Sequence, residues 1–257
     1  MIFEIFKRKF SIGLFGNLNL GIVPMSILFL FLVFNNLKLQ TGSDRIPVKK
    51  CKHFSVDGQG SNPQWTITDW VNIPQRKIVK EVLETSLKIL YSDSGVYFLF
   101  RCQDRKITAS FSEDFLDLWK EDVVEVFLWP DEDFPVYFEY EISPLNRELV
   151  LLVPNLKGKF FGWRPWHYEG NRKVQHATWA KEGNIKSGAT VEEWRAEFFI
   201  PFALLTPLGN VPPEKGIIWR ANFYRGDYDL GEWENWAWQP IEKRFHEYQK
   251  FGYLYFE

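Results

Sequence analysis

Two kinds of residue in this chain stand where they could do chemistry: a tryptophan just ahead of a strand, and carboxylates within strands. In Trp119-Lys120-Glu121-Asp122-Val123-Val124-Glu125-Val126-Phe127-Leu128-Trp129-Pro130, the run from Val123 to Trp129 is β-branched and aromatic. It is long enough for one strand and is closed by a Pro-Asp turn. Alternation sets Val123, Glu125, Phe127 and Trp129 on one face and Asp122, Val124, Val126 and Leu128 on the other. Glu125 therefore falls among apolar neighbours, where a carboxylate must be hydrogen-bonded or face something polar, because burying it bare is costly. Trp119 precedes the strand in a charged segment, which predicts an exposed ring. An exposed indole beside a strand acid can stack on the C–H face of a pyranose while the acid accepts hydrogen bonds from its hydroxyls. The plain alternative is that Trp119 packs in the core and the flanking acids are solvated.

A second set of acids lies in Tyr137-Phe138-Glu139-Tyr140-Glu141-Ile142, where Glu139 and Glu141 share a face with Tyr137. Phe138, Tyr140 and Ile142 share the other, so the pattern predicts a half-buried strand with the two acids on its wet side. Paired carboxylates also run glycoside hydrolysis at separations of roughly 5–9.5 Å, which makes Glu125, Glu139, Glu141 and Asp122 the candidates for a hydrolase-like alternative. Nothing in the sequence isolates one of them in an apolar pocket as a proton donor. No cofactor is expected. Calcium is the one metal for which oxygen ligands are offered, by the turns Asp131-Glu132-Asp133 and Asp227 to Asp229, but neither has the spacing of a calcium loop. Haem ligation would need Met or His: Met1 and Met25 lie near the amino terminus, and His53, His167, His176 and His246 are isolated.

The elements that must position these residues are short strands. Thr85 to Tyr91 and Val96 to Cys102 flank Ser92-Asp93-Ser94-Gly95 and predict a β-hairpin. Its second strand is apolar enough to be covered on both faces. Further strands are expected at Phe54–Gly58, Arg147–Val153, Lys173–Lys181, Thr190–Ile200, Gly216–Tyr224, Trp233–Trp238 and Phe251–Phe256. Trp65 and Trp70 fall in a helical turn or loop, and Pro201 opens a one-turn helix. Between Gly158 and Gly170, Phe160, Phe161, Trp163, Trp166, His167 and Tyr168 make a loop that must cover a sheet or present rings outward. Many short strands with almost no helix predict an all-β fold, a β-sandwich or jelly roll of mostly antiparallel strands.

The net charge of −2 and the lack of a basic stripe argue against a nucleic-acid partner. Aromatic residues make up 18% of the chain, with all 12 tryptophans from Trp65 onward, a bias that suits sheets and stacking surfaces. Residues 1–45 differ sharply: Lys7, Arg8 and Lys9 precede an uncharged run from Phe10 to Leu37. That is the pattern of a signal sequence or an uncleaved anchor over residues 10–37, and either would export the rest. Membrane contact is expected only there, ahead of a single domain over residues 46–257. Cys51 and Cys102 could pair in an exported protein or stand as two buried thiols.

Several pieces, in order, resemble the family 9 carbohydrate-binding modules. They are Val56-Asp57-Gly58 with Trp65, Val96 to Phe100, Trp119 to Phe127, Glu193-Trp194-Arg195-Ala196-Glu197-Phe198-Phe199-Ile200-Pro201, Trp219 to Arg225, Trp236-Ala237-Trp238 and Phe251-Gly252. The resemblance runs from about residue 54 to the carboxyl end. It implies a β-sandwich, export, an oligosaccharide or polysaccharide ligand, and service to glycoside hydrolases in polysaccharide breakdown. It also implies two aromatic rings around a terminal sugar. Trp119 matches the first ring, Glu125 a sugar-binding strand acid, and Phe245, next to His246, the second ring. The strand that supplies an arginine in the ligand-binding members carries Glu139 and Glu141 here, a departure from the family's pattern. A sandwich that binds no glycan is the remaining alternative.

Overall fold

The computed structural model describes residues 43–257, so the leader expected over residues 1–45 lies almost wholly outside the described residues. Strands follow one another in the order β1 (Arg45–Lys50), β2 (Val71–Asn72), β3 (Gln75–Lys77), β4 (Thr85–Tyr91), β5 (Gly95–Gln103), β6 (Val123–Trp129), β7 (Val136–Ile142) and β8 (Glu148–Leu156). Then come β9 (Lys159–Phe160), β10 (Arg164–Pro165), β11 (Gln175–Lys181), β12 (Glu193–Pro201), helix α1 (Phe202–Leu205), β13 (Ile218–Asp227), β14 (Glu234–Ala237) and β15 (Gly252–Phe256). Among the described residues no helix is long and apolar enough to cross a membrane.

The main strands form two layers. One sheet runs β10-β8-β7-β6-β13-β15, with β14 beside β13, and the other runs β4-β5-β12-β11. The neighbouring strands within each layer are antiparallel. Strand β1 joins them, pairing parallel to β15 through Arg45–Val48 and parallel to β4 through Lys49 and Lys50. The inner faces meet in a core where Phe98 of β5 lies 6.1 Å from Phe223 of β13, and Tyr140 of β7 lies 4.7 Å from Phe198 of β12. Such a layer of interdigitated rings is how a β-sandwich buries its apolar faces.

The outer faces are covered too, which decides where the acids sit. On the β4–β11 sheet, Tyr97, Leu99 and Phe199 pack under Phe54 and Trp65, so β5 is buried on both faces as its composition predicted. On the other sheet, Val123, Phe127 and Trp129 of β6 lie under Leu118, Tyr248 and Phe251.

Two expectations change. Glu139 and Glu141 are not on a wet face; they are 3% and 1% exposed, because the chain before β6 and before β15 folds over their side of the sheet. Phe54–Gly58 is not a strand: its backbone amides at Asp57 and Gly58 donate to the Glu197 carboxylate instead of a ladder. Strand β1, by contrast, was not anticipated. It is charged and short, and only its two parallel partners make it a strand. Cys51 and Cys102 are unbonded, and burial pushes their thiols up to about 11 and 12.

Candidate functional site

The outer face of β6 and β7 carries the acids by register. Glu125 pairs directly with Glu141 across the two strands, and Glu139 pairs with Phe127, two residues along the same face. Tyr224 of β13 faces Glu125 from the other side. Like charges placed opposite one another destabilise a sheet, so this arrangement has no structural advantage. One oxygen from each of the three acids lies within 4.8 Å of the others. Burial pushes all three carboxyls well above the usual range, and their mutual repulsion adds to it.

Trp119 is set by a single 3-10 turn, Leu118–Lys120, which buries Leu118 completely and turns the indole outward to 41% exposure. Its neighbours anchor that turn. Asp122 accepts from the backbone amides of Thr108 (2.5 Å) and Tyr228 (3.0 Å), Glu121 accepts from Phe111 N–H at 3.1 Å, and the Tyr228 hydroxyl donates to Trp119 carbonyl at 2.9 Å. The charged residues between Trp119 and the strand are thus brackets rather than ligands.

Phe245 and His246 come from the loop between β14 and β15. Glu247 shapes that loop by accepting backbone amides from Glu242 (3.0 Å), Lys243 (2.6 Å) and Arg244 (3.1 Å). The Phe245 ring stacks on Tyr224 at 4.1 Å, and the Tyr224 hydroxyl donates to Phe245 carbonyl at 2.7 Å. His246 stacks against Phe160 and Trp163, with Nδ1 2.7 Å from the Tyr137 hydroxyl. Burial, together with Arg244, pushes its pKa down to about 4, so the ring is neutral at pH 7. Its 3.8 Å approach to Glu139 is therefore not an ion pair.

These elements enclose one cavity of about 290 Å³. Trp119, Trp163, Trp233 and Phe245 give its apolar walls, and Glu125, Glu139, Tyr228, Lys243, Arg244 and His246 its polar groups. Of the six residues singled out by sequence, five line it, and Glu141 stands opposite Glu125 on the neighbouring strand. Sequence reasoning missed Trp163, Trp233, Tyr228, Lys243 and Arg244. The ring-rich loop between Gly158 and Gly170 was a signal for Trp163, which is 38% exposed. Trp233 fits because Gly226 has no side chain: a Cβ there would come 3.2 Å from its Nε1. A larger hollow of about 570 Å³ near Glu81, Arg101 and Glu193 has no aromatic ring among its lining residues, which makes it a poor site for an amphipathic ligand.

A two-layer sandwich carrying a ring-walled, acid-floored cavity on one outer face is a small-ligand-binding module. The family model for carbohydrate-binding family 9 matches residues 61–256. The chain belongs to that family, and its role is carbohydrate binding. Among solved structures it is similar to a candidate carbohydrate-binding protein from Bacteroides uniformis ATCC 8492, at 20% identity and a TM-score of 0.65, over 84% of this chain and all of that one. It is also similar to a family 9 module from Caldicellulosiruptor kristjanssonii in complex with cellotriose, at 16% identity and a TM-score of 0.58, over 83% of this chain and 93% of that one. A family 9 module from the same organism in complex with glucose gives a TM-score of 0.56 at 16% identity, over 83% of this chain and 95% of that one. Similarity at these identities speaks for the fold alone. No curated protein matches.

Proposed function

We propose that this is an exported, non-catalytic module that holds the end of a glycan between Trp119 and Phe245, in support of polysaccharide breakdown. The observation that carries the reading is the meeting of an exposed indole and a second aromatic ring at one cavity above strand acids, although 126 positions separate them. Rings bind the apolar faces of a sugar; Glu125 and Glu139 offer acceptors, and Lys243 and Arg244 offer donors, for its hydroxyls. A cavity of about 290 Å³ stands at the small end of ligand sites, roughly 300–1,000 Å³, and suits a chain end. Because family 9 structures hold cellotriose and glucose, gluco-oligosaccharides are the ligands to try first.

Hydrolysis is disfavoured by geometry. The three acids crowd together, with one oxygen of each within 4.8 Å of the others, short of the ~6.5–9.5 Å that leaves room for water in inverting enzymes, and burial raises all three carboxyls alike, so none is set apart as the ionised nucleophile of a retaining mechanism. Export rests on the basic and then apolar leader. The full-length protein in mild detergent should be retarded on affinity gels containing soluble polysaccharide and bind short oligosaccharides by calorimetry. Retention by no glycan on gel or array would overturn the binding reading. Fusing residues 1–45 to a reporter active only outside the cytoplasm tests export; a stable but silent fusion would sink it.

A further inference from the structure

The acids beneath the cavity lack what every other buried carboxylate cluster in the described residues has. Asp104, Asp227 and Asp229 also converge within 4.8 Å, but Arg225 reaches Asp227 at 2.6 Å and Asp104 at 3.0 Å, and Arg105 reaches Asp229 at 3.6 Å. There the protein supplies its own cations. Among the described residues, the one basic group within 4 Å of Glu125, Glu139 or Glu141 is neutral His246. No more than 3% of any of the three side chains is exposed, and Oε2 of Glu139 and Oε2 of Glu141 are buried without a hydrogen-bond partner. Unpaired buried carboxylates are strongly destabilising unless something positive joins them.

We propose that Glu125, Glu139 and Glu141 bind a calcium ion in the floor of the cavity, with sugar hydroxyls completing its oxygen shell from the open side. The donors are all hard oxygens, which selects calcium or magnesium over zinc or copper. Calcium takes six to eight oxygens at about 2.3–2.6 Å, so two ligand oxygens are at most ~5 Å apart, in keeping with the 4.8 Å limit here. Three carboxylates can give up to six oxygens if bidentate, where calcium's flexible shell begins, whereas magnesium demands a near-ideal octahedron and usually takes only one or two carboxylates. Glu125 and Glu139 line the cavity, so the ion's exposed side would meet the ligand. The ion site stands on the acids alone; its coupling to sugar rests on the glycan-binding reading above.

The test uses the full-length protein stripped with chelator and titrated with calcium chloride. One calcium per chain should bind, with a rise in the unfolding temperature. Glu141→Gln, which does not touch the cavity, should weaken calcium at least ~10–100-fold, the loss produced even by an outer-shell partner. The control Asp229→Asn should leave calcium affinity unchanged. No calcium binding up to millimolar concentration, or binding lost in Asp229→Asn and kept in Glu141→Gln, overturns the site. Glycan binding that persists unchanged in chelator overturns the coupling but leaves the ion site standing. Glycan binding absent under every condition overturns the functional reading, while the calcium titration still decides the ion. Glu141→Gln relieves charge repulsion, so it should fold; if it does not, Glu125→Gln and Glu139→Gln supply the same readout.

Discussion

Each sheet of the sandwich buries carboxylate on its outer face, and the two faces treat it in opposite ways. On the β4–β11 sheet, Glu197 accepts four hydrogen bonds: from the amides of Asp57 (2.9 Å), Gly58 (2.9 Å) and Gly60 (3.2 Å), and from Trp65 Nε1 (2.8 Å). It latches the segment with Phe54 and Trp65 onto the sheet. On the β6–β7 face, Glu125, Glu139 and Glu141 gather with far fewer donors, Oε2 of Glu139 and of Glu141 being left unpaired, under a cavity instead of a latch. A buried acid ringed by backbone amides holds the fold together. One that lacks them costs stability, and such a cost is borne where a ligand is to be met.

The comparison is most exposed to Glu197→Ala. It would strip four donors of their acceptor, two of them, the Gly58 amide and Trp65 Nε1, in buried bonds, and stability should fall by about 2–5 kcal/mol in urea unfolding, with any glycan affinity retained by the molecules still folded. A loss below about 1 kcal/mol would show the latch to be ornamental. Trp119→Ala should do the reverse. Removing an exposed platform should cut glycan affinity by about 1–3 kcal/mol, roughly 5- to 150-fold, in calorimetric titration, while stability changes by less than about 1 kcal/mol. Lost stability with unchanged affinity would return Trp119 to packing.

The Arg225 cluster lies between these extremes and sharpens the contrast through pH. Burial pushes Asp104 up to about 8, against the pull of Arg225. A carboxyl raised on folding binds more proton in the native state, so its stabilisation is full below the unfolded value of 3.8 and is lost as pH climbs through about 8. In chelator, stability should therefore decline by about 1–2 kcal/mol between pH 6.5 and 8.5, at up to ~1.4 kcal/mol per unit for one proton. Thermal melts of Asp104→Asn should lose much of this slope; an unchanged slope would place the proton elsewhere. The smallest effect belongs to Glu141→Gln, which should raise the stability of the chelated protein by about 1 kcal/mol by ending its repulsion of Glu125 and Glu139. A destabilised variant would mean the trio is satisfied after all.

Much of the fold could be read along the chain, because alternation, turn chemistry and apolar runs are local. The hairpin of β4 and β5, the strand at Val123–Trp129 with its face assignment, and the outward Trp119 all follow from a few neighbouring residues. Glu139 and Glu141 show the limit: a period of two says that they share a face, but not whether that face is wet. Their burial depends on segments nearly twenty residues upstream and a hundred residues downstream that fold over them. The same holds for Phe54–Gly58, whose amides find Glu197 some 140 positions away, and for β1, which is a strand only through β15 and β4.

For the site, sequence determined which residue types were available and which strand faces carried them. Tertiary structure alone decided that Phe245 lands across a cavity from Trp119, that Trp163 and Trp233 join them, and that three acids end up sharing one buried space. The physical reason is that antiparallel register and long loops convert distant positions into contacts, while the cost of burying a charge depends on every group brought beside it.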